Sequence, residues 1–386
     1  MKKVRIGIVG LGNIGLTHAN TLLAGRVPRL ELTAAADRNP AKRARLQGVR
    51  VFDGVDELIA SGMIDALLIC TPHAHHTEAG IKGLEAGLHV LVEKPISVQK
   101  ADAELLLAAH KDKRKVFATV FNQRTDPAYA KIRQLVRSGE LGELRRVSWT
   151  ATEWFRPEAY YASSAWRATW GGEGGGVLLN QCPHHLDLLQ WILGMPLSLR
   201  AQCAFGRYHD IEVEDEVMCF LEWENGLKGT FIASTGEAPG TSRLEIACER
   251  GRLVFEHGRL TFDRNEVPTS QFSKETSDIF GRPPCWKADI PVGTDSGGQH
   301  LEILRNFTAA ILDGAPLIAP AAEGLHSLEL ANAMLLSAWL NEPVALPLDS
   351  ATYAKHLRKK IAGSRFKTKT ASPNIAPVEM SKSYSR

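Results

Sequence analysis

A short apolar strand that runs directly into a glycine-rich turn constrains this fold more than any other part of the chain. The segment VRIGIV is followed by Gly10-Leu11-Gly12-Asn13-Ile14-Gly15 and then by a stretch compatible with a helix. Gly10 permits a tight turn, Gly12 lets the backbone approach phosphates, and Gly15 lets the helix pack on the strand. The pattern predicts a pyrophosphate site at a helix N-terminus, formed by Gly10, Gly12, Asn13, Ile14 and Gly15.

The next predicted strand ends in Asp37, about 20 residues after the turn, where a carboxylate accepts hydrogen bonds from ribose hydroxyls. Asp37 would repel a 2′-phosphate, so the sequence favours NAD over NADP as cofactor. The adjacent Arg38 weakens this preference, because a guanidinium can stack on adenine or pair with such a phosphate.

The pattern of predicted helices and strands changes near residue 125. Before it, short apolar runs alternate with helix-like stretches, which is typical of a parallel α/β sheet. After it, alternating runs and an Asn225-Gly226 pair predict hairpins of a mostly antiparallel open sheet, and residues 264 to 298 look like a long loop. We therefore predict an α/β domain over 1–124, an α+β domain over 125–364 and a flexible tail over 365–386.

Composition excludes several classes of partner. The formal net charge is only +3 over 386 residues, and no apolar run approaches the length of a membrane span. We expect a small-molecule substrate, no nucleic acid or membrane partner, and a cytoplasmic protein. The six cysteines are scattered without a CxxC pair, so free buried thiols are expected.

Two later strand ends should face the same crevice as the glycine-rich turn. "LLICTPHAHH" places Thr71 and Pro72 just past one strand, and "HVLVEKP" places Glu93 and Lys94 past the next. Ligands bind at these carboxyl ends in open parallel sheets. Lys94 is expected at the nicotinamide edge, although a surface lysine that closes a strand is the alternative.

The segment GGGVLLNQCPHHLD carries the second candidate group of polar residues. On one helix, Asn180, His184 and Asp187 would share a face, while His185 would point elsewhere. Pro183 would then kink the helix beside His184. A metal site is the alternative, but no His-x-x-x-His or Cys-x-x-Cys pair occurs in either histidine cluster, and we predict none.

Aromatic residues are concentrated just before these glycines, between Trp154 and Trp170. Flat rings suit the C–H faces of sugars, and Arg156 and Arg167 can bind hydroxyls or the cofactor. At least half of these rings should instead pack the domain junction. The segment favours a carbohydrate or glycoside substrate.

The glycine-rich turn, "TPHAHH", "EKP" and "GGGVLLNQCPHHLD", in this order, resemble the glucose-fructose oxidoreductase, inositol dehydrogenase and MocA (Gfo/Idh/MocA) family from Val4 to about Lys369. The resemblance implies a Rossmann domain, a second domain whose open sheet forms a homodimer or homotetramer, and nucleotide-linked oxidation or reduction of sugars and polyols. It implies Lys94 and His184 as catalytic pair. The cofactor contacts then expected are Thr71, Pro72, His76, Glu93, Lys94, Asn122, Trp166 and Arg167, and the substrate contacts are Lys94, Arg124, Trp154, Tyr160, Arg167, Asn180 and His184.

One position departs from that family. Members that resemble inositol dehydrogenase carry Asp where this chain has Asn180, and an amide cannot hold a negative charge. Three functions remain open at this point. The first is an NAD-dependent dehydrogenase, the second a glycosidase or lyase that oxidises the sugar transiently, and the third an NAD-binding regulator without turnover.

Overall fold

The first sheet contains the strand that precedes the glycine-rich turn. The computed structural model describes residues 2–293 and 295–364. The strands of this sheet are β1 (Val4–Val9), β2 (Leu30–Ala36), β3 (Arg50–Phe52), β4 (Ala66–Ile69), β5 (His89–Val92) and β6 (Phe117–Thr119). All pair in parallel in the order β3-β2-β1-β4-β5-β6. The order reverses between β1 and β4, where a doubly wound sheet opens a crevice for a ligand.

Crossover helices cover both faces of this sheet, which is why its strands are nearly continuous apolar runs. The helices are α1 (Asn13–Leu23), α2 (Pro40–Arg43), α3 (Val55–Ala60), α4 (His76–Glu85) and α5 (Lys100–Ala109). All four residues of β4 are buried. The predicted Rossmann-type α/β fold is confirmed. The short strand β3 was not predicted, because its three residues are exposed or only partly buried.

The second sheet has nine strands in the order β14-β13-β12-β11-β7-β10-β9-β8-β15. They are β7 (Leu144–Ala151), β8 (Ser198–Phe205), β9 (Glu214–Glu222), β10 (Lys228–Ser234), β11 (Ser242–Cys248), β12 (Gly251–Glu256), β13 (Arg259–Asn265), β14 (Cys285–Ile290) and β15 (Val344–Ala345). Only β7 and β10 pair in parallel among these strands of the described chain. The predicted mostly antiparallel sheet is therefore confirmed, including the turn at Gly226, whose φ is 83°.

The prediction of a long loop over residues 264–298 is wrong in part. The segment contains the end of β13, the helix α10 (Thr269–Glu275) and the edge strand β14. The first three side chains of β14 are exposed. An edge strand without a buried face shows no apolar alternation, so the pattern could not reveal it.

The remaining helices pack on one face of the second sheet or return to the first. They are α6 (Pro127–Arg137), α7 (Glu158–Ala162), α8 (Val177–Asn180), α9 (Pro183–Leu193), α11 (Gln299–Asp313), α12 (Ala321–Leu340) and α13 (Ser350–Ala362). Although α11 lies late in the chain, its Ile303, Leu304 and Phe307 belong to the core around β1. The domain boundaries at 124 and 364 stay predictions, and the predicted tail 365–386 lies outside the described residues.

Two further expectations concern the whole chain. All six cysteines are free, as predicted, but the expectation that they are buried is wrong for Cys203, which is partly buried, and for Cys285, which lies exposed on the edge strand β14. Within residues 2–293 and 295–364, no helix combines the length and apolar character needed to cross a lipid bilayer.

Candidate active site

The glycine-rich turn leaves room for a ligand at one glycine and none at another. Gly10 has a φ of 94°, in the left-handed region that favours glycine. A methyl group on Gly15 would lie 1.9 Å from the Gly10 carbonyl oxygen, whereas one on Gly12 would meet no atom within 4 Å. Gly15 therefore serves close packing, and the backbone at Gly12 is open to approach.

The start of α1 fits a pyrophosphate. In any helix the amides of the first turn lack intrahelical acceptors, which here include those of Asn13 and Ile14. No side chain caps them, so they are available to an anion. Asp37 follows β2, and its carboxylate accepts a 2.7 Å hydrogen bond from the Leu11 amide. This contact holds the carboxylate beside the turn, and Arg38 next to it is exposed. These residues fit a dinucleotide whose ribose reaches Asp37.

The loops after β4 and β5 are fastened to each other by His76. Its Nδ1 lies 2.8 Å from the Pro95 carbonyl oxygen and its Nε2 lies 2.9 Å from that of Thr71. His76 therefore positions the loops that begin with Thr71-Pro72 and Lys94-Pro95, and its ring nitrogens are engaged by protein atoms. The buried Thr71 hydroxyl has no hydrogen-bond partner among the described residues, so it is available to a ligand.

Glu93 forms a buried pair that sequence reasoning missed. Its Oε1 lies 2.8 Å from His18 Nε2 on α1, and both side chains are less than a tenth exposed. Burial raises the pKa of Glu93, but the contact with His18 outweighs it and holds that pKa below its usual value. With His300, the pair forms a trio whose candidate ligand atoms lie within 4.8 Å of one another. The direct His18–Glu93 contact explains this arrangement without a metal ion.

The segment that was expected to form one kinked helix forms two helices instead. α8 ends at Asn180, and α9 begins at Pro183, in the first turn where a missing amide hydrogen costs nothing. The predicted kink is therefore wrong. Asn180 and His184 lie on successive helices, and Asp187 does not join them, because its carboxylate binds Arg124.

Lys94 and His184 lie at the junction of the two sheets. The Lys94 ammonium donates a 2.9 Å hydrogen bond to the Asn180 carbonyl oxygen. The His184 ring is 3 % exposed, packs edge-on against Phe121, and has no hydrogen-bond partner for either nitrogen among the described residues. A buried imidazole with both nitrogens unsatisfied is expensive unless a ligand completes it.

Burial and charge set the ionisation of this pair. Burial, reinforced by the Lys94 charge, lowers the pKa of His184 well below its ordinary value. Burial also lowers the pKa of Lys94, and the carboxylates of Glu93 and Glu173 oppose that effect. His184 is therefore neutral near pH 7 and able to accept a proton.

A network centred on Asn180 connects the aromatic segment to this junction. The Tyr160 hydroxyl donates to Asn180 Oδ1 at 3.0 Å and accepts a 2.7 Å hydrogen bond from Arg167. The Asn180 side-chain amide donates to Glu173 Oε1, and the Ala168 amide donates to Glu173 Oε2 at 2.7 Å. Sequence reasoning missed Glu173, although a lone acid within the glycine run GGEGGG was a usable signal.

The aromatic side chains divide between the site and the interior. Trp166 packs on His73, and the Arg167 guanidinium lies between Trp166 and Tyr160, 4.9 and 4.4 Å from their ring centres. Trp154 packs on His185, and its buried indole N–H has no hydrogen-bond partner among the described residues. The other rings lie elsewhere, with Trp170 packed against Trp339 and Phe205, Tyr161 hydrogen-bonded to Thr235, and Phe155 exposed.

Arg124 and Asn122 are engaged by protein groups. Arg124 donates to both oxygens of Asp187, at 2.7 and 2.6 Å, and also to Glu323. The Asn122 amide donates to Gln299 at 2.5 Å, while its oxygen has no partner among the described residues. This geometry favours a structural role for Arg124 over the expected substrate contact and leaves Asn122 one free acceptor.

A doubly wound sheet with an open glycine turn, joined to a partly buried lysine and a buried histidine, defines the class of nucleotide-dependent oxidoreductases. The chain matches the "Oxidoreductase family, NAD-binding Rossmann fold" over residues 4–121 and the "GFO/IDH/MocA C-terminal domain" over residues 129–254. It belongs to the GFO/IDH/MocA family and contains an NAD-binding Rossmann domain.

Relatives with assigned activities span nearly the whole chain. The chain is 27% identical to inositol 2-dehydrogenase of Rhizobium meliloti over 86% of its own length and 96% of the relative. It is 24% identical to levoglucosan dehydrogenase of Pseudarthrobacter phenanthrenivorans over 91% and 100%. The WlbA dehydrogenase from Bordetella pertussis, solved with NADH and UDP-GlcNAcA, superposes with a TM-score of 0.77 at 26% identity, over 90% of this chain and 100% of that one.

Proposed function

We propose that this protein is an NAD-dependent dehydrogenase that acts on a secondary hydroxyl group of a sugar, a glycoside or a polyol, with Lys94 and His184 as the catalytic pair. The observation that carries this proposal is the buried His184 ring. Both of its nitrogens lack partners among the described residues, and burial, together with the Lys94 charge, keeps the free ring in the neutral form by lowering its pKa. A substrate hydroxyl would supply the missing hydrogen bond.

The two side chains have complementary tasks. His184, held neutral, accepts the proton of the reacting hydroxyl. The Lys94 ammonium, positioned by the Asn180 carbonyl oxygen, stabilises the negative charge that develops on the substrate oxygen. Bound NAD supplies the hydride acceptor for this chemistry. Gly12, the first turn of α1 and Asp37 would hold the cofactor.

The residues around Asn180 support a carbohydrate substrate. Trp166, Tyr160 and Arg167 form a group of contacting side chains next to Asn180. The Asn180 side-chain nitrogen donates one hydrogen to Glu173 and has a second that a sugar hydroxyl can accept. Two relatives are named as dehydrogenases of inositol and levoglucosan, and a third was solved with UDP-GlcNAcA. They support the same class of substrate, sugars and polyols.

The test is a screen of sugars, glycosides and polyols with NAD and with NADP, which records reduced nicotinamide by absorbance and products by chromatography. The proposal predicts stoichiometric NADH and ketone for at least one compound, and a preference for NAD because Asp37 repels a 2′-phosphate. Glycosidic cleavage without net NADH would overturn the simple dehydrogenase in favour of transient oxidation. Tight NAD binding without any turnover would favour a regulator.

We also propose that the open face of the second sheet joins protomers into a homodimer or homotetramer. On β9, an interior strand of this sheet, Met218 is 49 % and Phe220 67 % exposed, which is unusual for large apolar side chains. Light scattering should give a mass of two or four chains, and Phe220→Lys should lower it. A monomeric parent protein would overturn this proposal.

A further inference from the structure

The amide of Asn180 links a buried carboxylate to the catalytic lysine. Its side-chain nitrogen donates to Glu173, and its main-chain oxygen accepts from Lys94. Asn180 itself carries no charge. The acidic group bound to the Asn180 side chain is Glu173, which comes from the glycine-rich loop before α8.

Burial and hydrogen bonds fix the position of the Glu173 side chain. It is 2 % exposed, and both of its oxygens accept hydrogen bonds, one from Asn180 and one from the Ala168 amide. The φ of Ala168 is 57°, a strained value for a residue with a side chain, and the Glu173 contact accompanies that conformation. Arg167 lies 3.9 Å from Glu173 Oε1. Burial raises the pKa of Glu173, while Arg167, the Ala168 amide, Asn180 and Lys94 act to lower it. The two donors and the nearby cations therefore favour the ionised carboxylate against the effect of burial.

The other acid beside Lys94 is already engaged. Glu93 faces His18 at 2.8 Å. The charged or titratable groups that face Lys94 are Glu93, Glu173, Arg156, Arg167, His73, Cys182, His184 and His300. Arg156 and Arg167 disfavour the ammonium, and the negative charge of Glu173 offsets their effect.

We propose that Glu173 is a positioning residue for the reaction, which acts through Asn180 to hold the charge and the place of the Lys94 ammonium. Asn180 and Glu173 together do what one carboxylate at position 180 would do alone. The amide can then also present its oxygen to Tyr160. The inference rests on the proposed function only for its catalytic consequence, because the effect on Lys94 exists without substrate.

Moving the carboxylate from position 173 to position 180 tests this inference. The pH dependence of Lys94 acetylation by a small anhydride, read by peptide mass spectrometry, reports the titration of the lysine in the free protein. In Glu173→Gln the midpoint should fall by roughly one pH unit, because loss of a nearby opposite charge disfavours the ammonium. In the double variant Asn180→Asp/Glu173→Gln the midpoint should return to the parent value or above it.

The control is Glu212→Gln. Glu212 accepts the Trp170 amide of the same loop at 2.8 Å, and no hydrogen bond between it and Asn180 is present. Its substitution should leave the Lys94 midpoint unchanged. If Glu173→Gln fails to fold, Glu173→Asp gives the same readout and should shift the midpoint in the same direction by less.

An unchanged midpoint in Glu173→Gln, or a double variant that stays shifted in the same way as the single one, would overturn the inference. Failure of the proposed function is a separate result. The midpoints would then move as stated, while no sugar in the screen is oxidised. If both hold, the alkaline limb of the kcat/KM profile should shift with the acetylation midpoint in each variant.

Discussion

The Lys94 ammonium is hydrogen-bonded to the main-chain carbonyl oxygen of Asn180, 86 residues later in the chain, at 2.9 Å. This contact joins the loop after β5 to the end of α8, and so joins the nucleotide-binding sheet to the segment that carries His184. Because the acceptor belongs to the main chain, any residue at position 180 can hold the lysine in place. The side chain at that position is thereby free to adjust charge and substrate contacts.

Two glycines of the same turn should respond oppositely to alanine. Gly12→Ala should leave the unfolding free energy of the free protein unchanged, because the added methyl meets no atom within 4 Å. It should weaken NADH binding by at least about tenfold, about 1.4 kcal/mol, by blocking approach to the backbone. Gly15→Ala should instead destabilise the fold by roughly 1–3 kcal/mol, since its methyl would lie 1.9 Å from a carbonyl oxygen.

Urea unfolding and fluorescence titration with NADH measure these two effects separately. Equal loss of stability in both variants, or unimpaired NADH binding by Gly12→Ala, would contradict the assignment of the two glycines.

The Arg124–Asp187 pair should matter for stability and not for substrate selection. Both side chains are 1 % exposed, so Arg124→Met leaves a buried carboxylate without its partner. We expect a loss of about 3–5 kcal/mol in the free energy of unfolding. Arg124→Met/Asp187→Leu should recover most of that loss, because neither charge then remains buried alone. A single variant that unfolds like the parent but changes the preferred substrate would restore the substrate role expected from the sequence.

Acid should weaken the fold through two partly buried histidines before most carboxylates titrate. The pKa of His89 is lowered to about 4 by burial and by Lys115, and that of His300 to about 4 chiefly by burial. Above about pH 6.5 both states are neutral, so these groups contribute nothing to the pH dependence. Below it the unfolded chain takes up protons that the folded chain refuses. The free energy of unfolding should therefore fall as pH drops from about 6.5 to about 4.

Substitution of His89 measures how much this one histidine contributes to the pH dependence of the free energy of unfolding. His89 Nδ1 accepts a 2.8 Å hydrogen bond from the Val116 amide, which glutamine can accept instead. His89→Gln should reduce the pH slope by at most about 1.4 kcal/mol per pH unit. Urea unfolding across this pH range measures the slope of the free energy of unfolding against pH. An identical slope in His89→Gln and the parent would refute this explanation.

The sequence predicted those features whose position depends only on neighbouring residues in the chain. The glycine turn, Asp37 at the end of β2, and Lys94 just past β5 follow from spacing within one strand and its loop. The path of residues 165–176 does not, because Glu173 reaches Asn180 only through a turn that depends on tertiary contacts. Pro183 was compatible with a kink or with a helix start, and only packing distinguishes them. Arg124 and Asp187 lie 63 residues apart, so their pairing left no signal in either segment.

The most direct test of the proposed chemistry compares His184→Asn and Lys94→Met with His185→Asn on a sugar found in the screen. His185 is equally buried and adjacent in the chain, but it faces Glu153 and Trp149. We predict that His184→Asn and Lys94→Met each lower kcat by about 10²–10⁴-fold while all three variants bind NADH. His185→Asn should keep turnover close to that of the parent. Parent-like kcat in either His184→Asn or Lys94→Met would contradict the assignment of the catalytic pair.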